Sequence, residues 1–267
     1  MDSQRQSGKP NVQIVLPARL ASSRLKEKLL RKVSGRSVLS HTYHAASRAT
    51  CTLAAPLVAV DDPRLADEVE SFGGRWVMTP VNCASGTDRI AFVAKQHPEV
   101  DIWINVQGDE PEIDPASIDS VADCILSDER VDLSTAGTPI RTTTSLDDPS
   151  IVKIVSSPIS AERSRAVYFS RSRVPHDREG DAQEWLQRSP SIYWHHLGLY
   201  GYRRDFLQWF SNSPPSALER IEKLEQLRAI EGNKRIVFAH VGEAYPGIDT
   251  EADLKAFQER FGETSGG

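Results

Sequence analysis

A cluster of positive charge follows the first apolar run of the chain. Six cations fall within 14 residues, directly after VQIVLP (residues 12–17): Arg19, Arg24, Lys26, Lys28, Arg31 and Lys32. Guanidinium and ammonium groups neutralise phosphate oxygens, so this pattern is typical of a loop that binds a polyphosphate. The alternative is a solvated basic loop without a ligand. The loop has neither the Walker pattern GxxxxGK[ST] nor the dinucleotide pattern GxGxxG.

Two acidic turns could act together with these cations. Asp109 and Glu110 lie in NVQGDEP (105–111), directly after another apolar run, and Asp249 lies in GIDT (247–250). A carboxylate at the end of a strand suits Mg²⁺, which takes one or two carboxylates together with substrate phosphates. Asp109 and Asp249 are therefore candidate metal ligands if the fold brings them together. The alternatives are an acidic turn without a ligand and a helix cap at Asp249.

A third candidate is SGTDR (85–89), a serine–glycine turn that opens a predicted helix. The free N–H groups at the start of a helix can bind an anion or the edge of a base. An ordinary helix cap is the alternative.

Strands and helices must hold these candidate residues in place. The first 107 residues alternate between apolar runs and helical patterns. Predicted strands cover 12–17, 56–60, 75–79 and 101–107, and predicted helices cover about 37–48, 63–72 and 86–97. The alternation predicts a mostly parallel sheet with helices on both faces, an α/β fold. Ligands of such sheets bind beyond the carboxyl ends of the strands. The site is therefore expected in the loops after Leu16, Val60, Thr79 and Gln107.

The second half of the chain is richer in predicted strands, at 133–140, 151–155, 166–170, 195–202 and 235–241. Predicted helices cover 115–127, 203–210, 216–230 and 249–261, and 171–191 is predicted as a loop. We expect a disordered tail over 1–10 and one domain over 11–267, with a β-rich subdomain at about 132–202. The subdomain has more aromatic residues than the α/β core needs, namely Tyr168, Phe169, Tyr193, Trp194 and Tyr200. This surplus predicts a homodimer.

Composition excludes several classes of protein. The chain has 32 Lys and Arg against 37 Asp and Glu, a net charge of −5, which argues against a nucleic-acid partner. Its start is polar and no apolar run reaches about 18 residues, so we expect no membrane partner and a cytoplasmic location. The cysteines at 51, 83 and 124 are widely spaced, which predicts free thiols.

Taken in order, the motifs resemble those of the 3-deoxy-D-manno-octulosonate cytidylyltransferase (CMP-KDO synthetase) family. The resemblance covers about residues 12–260 and rests on PARLASSRL, Lys28, VMT, SGTDR, NVQGDEP, VKIV, YFSR (168–171), HHLGLYGYR (195–203), LEQLR (224–228) and GIDT. It implies a Rossmann-like nucleotidyltransferase core with a β-rich elaboration for sugar binding and dimerisation. It also implies a cytoplasmic, homodimeric, Mg²⁺-dependent enzyme of lipopolysaccharide biosynthesis. That enzyme transfers the cytidylyl group of CTP to the anomeric hydroxyl of 3-deoxy-D-manno-octulosonate (KDO).

The resemblance also implies roles for individual residues. The CTP phosphates would be held by Arg19, Arg24 and Lys28. The cytidine pocket would be lined by Pro17, Ala18, Ser85, Gly86 and Gln107. Mg²⁺ would be bound by Asp109 and Asp249. The sugar acid would be surrounded by Arg171, His196, Tyr200, Glu225 and Gln226, with the Arg171 guanidinium paired to its carboxylate.

The chain departs from the family pattern at three places. LKEKLL (25–30) stands where the family has LPGKPL, Cys83-Ala84 stands in place of a histidine–glutamine pair, and His176 stands in place of tryptophan. These changes keep two further hypotheses open. One is a cytidylyltransferase for another sugar acid, of the amino-KDO or sialic type. The other is a nucleotide-sugar-binding protein that has lost catalysis.

Overall fold

A computed structural model of the chain describes residues 9–22, 24–180, 182–243 and 246–264. The strands are β1 (Val12–Ala18), β2 (Lys32–Val33), β3 (Arg36–Ser37), β4 (Leu57–Val60), β5 (Arg75–Met78), β6 (Ile102–Asn105), β7 (Leu133–Pro139), β8 (Lys153–Pro158), β9 (Arg163–Ser170), β10 (Trp194–Arg203) and β11 (Ile236–His240). The α-helices are α1 (Val38–Ala46), α2 (Pro63–Ser71), α3 (Gly86–Gln96), α4 (Pro115–Leu126), α5 (Thr143–Asp147), α6 (Ala182–Leu186), α7 (Arg204–Asn212), α8 (Ala217–Glu222), α9 (Gln226–Glu231) and α10 (Glu251–Thr264). A 3₁₀ helix covers Lys28–Leu30. The predicted tail lies outside the described residues up to position 8.

Nine strands form one sheet in the order β5-β4-β1-β6-β10-β7-β11-β9-β8, and β2 pairs with β3 in a separate hairpin. The pairs among β5, β4, β1 and β6 are parallel, as is β7 with β11, whereas β10 and β9 run antiparallel to their neighbours. β8 also pairs with the start of β10, so the later strands curl back on themselves. The predicted mostly parallel α/β sheet is confirmed, with its antiparallel strands in the second half.

The order of the strands reverses at β1, because the chain continues to β4 on one side and later returns to β6 on the other. Asn105, the last residue of β6, lies opposite Val15 of β1. The loops that leave the carboxyl ends of these two strands are therefore neighbours. This is the crevice in which open α/β sheets bind ligands.

Helices cover both faces of the sheet, as predicted. On one face, α1, α2 and α4 bury Leu39, Val69 and Ile118 against the sheet. On the other face, α3 and α7 bury Ile90 and Phe206. No helix within the described ranges is both long and apolar enough to cross a membrane.

The single helix predicted over 216–230 is wrong, because the structure has two short helices there, α8 and α9. Lys223, between them, has a left-handed backbone conformation with φ of 56°, which ends α8. Ile221, which the periodic pattern places on the apolar stripe, is 78% exposed. The residues directly after this break form part of a cavity wall. The predicted loop over 171–191 likewise contains a short helix, α6.

The aromatic residues that motivated the predicted homodimer are largely used within the chain itself. Phe169 and Trp194 are at most 4% exposed in the core beside the sheet, and Tyr193 is 1% exposed in a cluster with Leu146 of α5 and Leu186 of α6. The expected surplus of exposed aromatic surface is therefore absent at these three residues, and the homodimer stays a prediction. The exposed apolar side chains of this segment are Ile159 and Val167, with exposed fractions of 46% and 41%, together with Ile192 at 36%.

Candidate active site

Four predicted residues meet at the carboxyl end of the sheet. The ammonium group of Lys28 contacts the carboxylate of Asp109 and donates to Asp249 Oδ1 at 2.8 Å. The second oxygen of Asp249 pairs with Arg24 Nη2, also at 2.8 Å. Burial lowers the pKa of Lys28, but the charges and hydrogen bonds of Asp109 and Asp249 outweigh burial, so the pKa lies above its usual value. Lys28 is therefore charged.

Asp249 is far from Asp109 in sequence, and main-chain and apolar contacts bring the two together. The N–H of Ile248 donates to the carbonyl of Asp109 at 2.8 Å. Ile248 also belongs to an apolar cluster in which Leu254 and Phe257 of α10 pack against Leu25. The loop after β1, the turn after β6 and the start of α10 are thereby joined around the two carboxylates.

The two carboxylates fit a divalent cation. Both carboxylates contact the same nitrogen atom, Lys28 Nζ, so they can face one cation from two sides. No group of three or more His, Cys, Asp or Glu side chains placed to hold a metal occurs in the part of the chain that the structure describes. Phosphate oxygens and water would complete the coordination of a metal ion here. This donor set is the one that Mg²⁺ prefers.

The first of two cavities, the basic cavity, lies beside this cluster and has a volume of about 330 Å³. Its wall is formed by Pro17, Arg19, Lys28, Leu29, Cys83, Ala84, Ser85, Gly86, Arg89, Gln107, Gly108, Asp109 and Glu225. The loops after β1, β5 and β6 contribute, as predicted, whereas no described residue of the loop after Val60 lies in this wall. Three cations, the amide group of Gln107 and the hydroxyl of Ser85 suit a phosphorylated ligand.

Close approach of two loops shapes this cavity. A Cβ atom on Gly108 would lie 3.1 Å from the carbonyl oxygen of Pro17, so a side chain there would push the two loops apart. Across the cavity, Ser85 caps α3, because its hydroxyl accepts from the N–H of Asp88 at 3.2 Å. The cap that was the alternative hypothesis for SGTDR is present, and Ser85 also lines the cavity.

A buried ion pair fixes Arg89 in the wall of the basic cavity. Arg89 Nη2 donates to Asp61 Oδ2 at 3.0 Å, and the two side chains are 4% and 7% exposed. Asp61 Oδ1 also accepts from the N–H of Leu20 at 2.9 Å. One carboxylate therefore holds both α3 and the loop after β1. Neither residue was singled out in the sequence, although Arg89 belongs to SGTDR.

The second cavity, the aromatic cavity, also has a volume of about 330 Å³ and shares Gly86, Gln107 and Glu225 with the first. Its other wall residues are Thr87, Asn105, Leu133, His196, Gly198, Tyr200, Tyr202, Phe206, Phe210, Lys223, Leu224 and Gln226. The rings of Tyr200 and Tyr202 stack with centroids 5.7 Å apart. An aromatic wall with interspersed polar groups suits a hydroxylated ligand with an apolar face.

His196 is held as a neutral ring. Burial lowers the pKa of His196 to about 3, with a smaller contribution from His195. Gln226 Nε2 donates to His196 Nδ1 at 3.4 Å, and His196 Nε2 lies 3.0 Å from Thr135 Oγ1. Because Nδ1 accepts, Nε2 carries the proton and donates to Thr135. Both ring nitrogens are therefore engaged inside the protein, and His196 shapes the cavity wall with its ring.

Glu225 joins the two cavities. Its Oε2 accepts from Thr87 Oγ1 at 2.9 Å, and Thr87 Oγ1 lies 3.3 Å from the hydroxyl of Tyr202. Burial raises the pKa of Glu225, and hydrogen bonds from Thr87 and Ser85 oppose the rise. This network fixes Glu225 between the start of α3 and the aromatic wall.

Comparison with known proteins gives these cavities a context. A family model described as cytidylyltransferase matches residues 13–236. A protein of Rhodopirellula baltica named 3-deoxy-manno-octulosonate cytidylyltransferase is 53% identical over 248 residues, which are 93% of this chain and 97% of the relative. The chain belongs to the 3-deoxy-manno-octulosonate cytidylyltransferase family. A family member from Chloroherpeton thalassium is 42% identical over 90% of this chain and 94% of the relative.

A solved structure supports the same assignment. The structure of CMP:2-keto-3-deoxy-manno-octonic acid synthetase complexed with CTP superimposes with a TM-score of 0.86 at 36% identity, covering 95% of this chain and 99% of that one. A cytidylyltransferase of Leptospira borgpetersenii, with a TM-score of 0.61 and 14% identity, shares the fold. The α/β fold expected for a cytidylyltransferase is thus confirmed.

Most of the residues that the family pattern implies lie in or beside the two cavities. The basic cavity contains Pro17, Arg19, Lys28, Ser85, Gly86, Gln107 and Asp109, and the aromatic cavity contains Gly86, Gln107, His196, Tyr200, Glu225 and Gln226. Asp249 lies beside the basic cavity through its contact with Lys28, and Arg24 lies there through its ion pair with Asp249. Ala18 is fully buried at the end of β1 and lines neither cavity.

Arg171 lies in the wall of neither cavity, contrary to the expectation of a carboxylate clamp. Its Nε donates to the carbonyl of Glu222 at 2.8 Å, and its Nη1 donates to the carbonyl of Pro149 at 3.1 Å. The guanidinium group therefore holds main-chain segments together. Its contact with the sugar acid stays a prediction that this geometry does not favour.

Sequence reasoning missed several wall residues. Asn105 is 1% exposed, and its amide oxygen has no hydrogen-bond partner within the described part of the chain. Thr87 and Asn105 lie inside motifs that were recognised, so those motifs carried the signal. Lys223 gave no signal, because it lies in the middle of a predicted helix.

Proposed function

We propose that the basic cavity binds CTP and that the aromatic cavity binds KDO, so that the anomeric hydroxyl of KDO attacks the α-phosphorus of CTP. A P–O bond to the sugar forms, the bond between the α-phosphorus and the oxygen that bridges to the β-phosphate breaks, and the hydroxyl proton passes to solvent, so that CMP-KDO and pyrophosphate result. The observation that carries the proposal is the convergence of Asp109 and Asp249 at the basic cavity, which shares Gly86, Gln107 and Glu225 with the aromatic cavity. The relatives' names support the same reaction, and the solved relative was complexed with CTP.

On the nucleotide side, we assign the phosphates to Arg19, Arg24 and Lys28. Arg19 and Lys28 line the basic cavity, and Arg24 reaches Asp249 beside it. Cations placed around a triphosphate stabilise the charge that develops on the departing pyrophosphate. The cytidine base lies against Pro17, Ser85 and the start of α3, where amide groups and Gln107 offer donors and acceptors to its edge.

Nucleotidyltransferases of this family typically use a divalent metal, and we propose Mg²⁺ at Asp109 and Asp249. When bound, Mg²⁺ neutralises phosphate charge and polarises the α-phosphate. Lys28 lies between the same carboxylates, so we propose that its ammonium group moves onto the phosphates when the metal and CTP bind. The flexible Lys side chain allows such a movement.

On the sugar side, the aromatic wall packs against the apolar face of the sugar, and Gln226, Glu225 and Tyr200 face its hydroxyl groups. Gln107 lies in the walls of both cavities, so it can contact nucleotide and sugar together. Holding both reactants in one orientation supplies much of the rate enhancement, because phosphoryl-type transfer needs little covalent chemistry from the protein.

We propose a cytoplasmic location for the reaction, as the family resemblance implies. We also retain the homodimer as a proposal, now resting on exposed apolar side chains of the β-rich segment, Ile159 and Val167. Sedimentation at micromolar concentration checks it: a dimer is expected, and a monomer would contradict it.

Pyrophosphate release tests the proposed reaction. The protein is mixed with CTP and Mg²⁺ and with KDO, its 8-amino analogue or a sialic acid. We expect rapid release with KDO and release at least tenfold slower with the other acids. A preference for another acid would favour the amino-KDO or sialic hypothesis. CTP binding without release under all conditions would favour a nucleotide-sugar-binding protein without catalysis.

A further inference from the structure

The aromatic cavity must accommodate an anion if the proposed function, on which this inference rests, is correct, because KDO carries a carboxylate. Of the described residues that line this cavity, Lys223 and Glu225 carry a charged side chain. Glu225 would repel a carboxylate. Lys223 offers the opposite charge within the wall itself.

The alternative cation, Arg171, is engaged elsewhere. Its guanidinium group donates to the carbonyl oxygens of Glu222 and Pro149, and its main-chain N–H donates to Glu222 Oε2 at 3.0 Å. A guanidinium group committed to main-chain carbonyls would have to break those hydrogen bonds to reach a ligand. Breaking them costs free energy, because their acceptors lose their partners.

The backbone brings Lys223 into the wall. Lys223 has φ of 56° and ψ of 45°, a left-handed conformation that is uncommon for a residue other than glycine, and its N–H donates to the carbonyl of Glu219 at 2.8 Å. This turn separates α8 from α9, so that 223–226 all line the aromatic cavity. Unfavourable backbone conformations are found preferentially at functional sites, where the surrounding structure maintains them.

The charge of Lys223 is available to a ligand. The residue is exposed, and no ion pair of its side chain occurs within the ranges that the structure describes. The adjacent carboxylate of Glu222 accepts from Ser170 Oγ at 2.7 Å and from the main chain of Arg171. Glu222 is therefore engaged with the end of β9.

We propose that the ammonium group of Lys223 pairs with the carboxylate of the sugar acid and makes the aromatic cavity specific for an acid over a neutral sugar. Lys223 then determines specificity on the sugar side alone, because it lies outside the wall of the basic cavity. A charge-assisted hydrogen bond of this kind is stronger than one between neutral groups.

The test compares KDO with its C1 carboxamide, which has the same shape and no charge, in the wild-type protein and in two variants. Lys223→Asn removes the charge, and asparagine tolerates the left-handed conformation. Arg171→Gln removes the competing cation. We expect the wild-type protein to prefer KDO over the carboxamide by at least tenfold in kcat/KM. Lys223→Asn should reduce this preference to below about threefold by raising the KM for KDO. Arg171→Gln should retain the preference. The KM for CTP stays unchanged in Lys223→Asn.

Lys223→Arg keeps the charge and should restore most of the preference, which a purely structural role would not do. If Lys223→Asn does not fold, Lys223→Gln takes its place. An undiminished preference in the variant without the charge overturns the inference, as does a preference that Arg171→Gln alone abolishes. A wild-type protein that releases no pyrophosphate with KDO overturns the proposed function instead, so the two failures are distinguishable.

Discussion

Replacing Asp249 with asparagine should abolish most of the turnover while the fold survives. The substitution keeps the shape of the side chain and removes its charge. In the structure that charge faces Lys28 at 2.8 Å and Arg24 at 2.8 Å, and it contacts the same ammonium group as Asp109. The proposed metal site would therefore lose one of its two protein ligands.

The magnitude follows from this geometry. Losing one of two carboxylates that compensate charge at the reacting phosphate costs on the order of 3 kcal/mol or more. Because about 1.4 kcal/mol corresponds to a factor of ten, kcat should fall by about 150-fold or more. Stability should change little, since the Asp249 side chain is 40% exposed and such ion pairs contribute about 0–1 kcal/mol. The N–H groups at the start of α10 are satisfied by Thr250 and Asp253 rather than by the Asp249 carboxylate.

Initial rates of pyrophosphate release at several Mg²⁺ concentrations measure the effect. Glu251→Gln is the matched control. It removes a carboxylate two residues away, which pairs with Arg31 at 2.8 Å and has no contact with Lys28. The control should keep its rate within about twofold of wild type. If Asp249→Asn kept a rate within about threefold of wild type at saturating Mg²⁺, Asp249 would not be a metal ligand.

Three further predictions concern stability, pH and nucleotide choice. Asp61→Asn leaves the buried Arg89 guanidinium without its counter-charge, so the free energy of unfolding should fall by about 3–5 kcal/mol. In calorimetry, Tm should fall by roughly 6–20 °C, and a Tm within about 2 °C of wild type would contradict the prediction. His196 is neutral in the folded protein, with a pKa of about 3, and takes up a proton below about pH 6.5 when unfolded. The free energy of unfolding should therefore fall by about 1.4 kcal/mol per pH unit for this one proton as pH falls from about 6.5 towards 3. In urea unfolding between pH 4 and 6, the free energy of unfolding of His196→Gln should depend correspondingly less steeply on pH. Equal pH dependence in the variant and the wild-type protein would refute the assignment. CTP should be preferred over ATP and GTP by at least a hundredfold in kcat/KM, because a purine is too large for the contacts between β1 and the start of α3; comparable values for ATP would overturn the cytidine pocket.

The sequence predicts the core of the fold because its signals are local. VQIVLP and PLVAV are short apolar runs bounded by turn residues, and Asp62-Pro63 marks the start of α2, where Asp62 does accept from the N–H of Arg64. The two-residue strands of the β2–β3 hairpin escape such reasoning, because so short a segment has no periodicity. The break at Lys223 escapes it for another reason. An apolar residue at every third position fits a helix, and only the tertiary structure shows that Ile221 faces solvent.

The site was predictable where a motif follows directly after a strand. Asp109 and Gln107 follow β6, so their placement depends on a single strand assignment. Their meeting with Asp249 could not be worked out from spacing, because it depends on how α10 packs against the loop after β1. Arg171 is a different case, because its contact with the sugar acid stays a prediction. Its residue type suits a carboxylate, yet three-dimensional contacts commit it to main-chain carbonyls.

The most direct test of the central claim is to identify the products formed from CTP and KDO. ³¹P NMR should show the three resonances of CTP replaced by one phosphodiester and by pyrophosphate, and mass spectrometry should find CMP-KDO in equal amount. The reaction should require Mg²⁺ and should be lost in Asp109→Asn. If CTP stays intact with KDO and Mg²⁺, or is merely hydrolysed to CMP, the assignment of the two cavities to nucleotide and sugar acid is wrong.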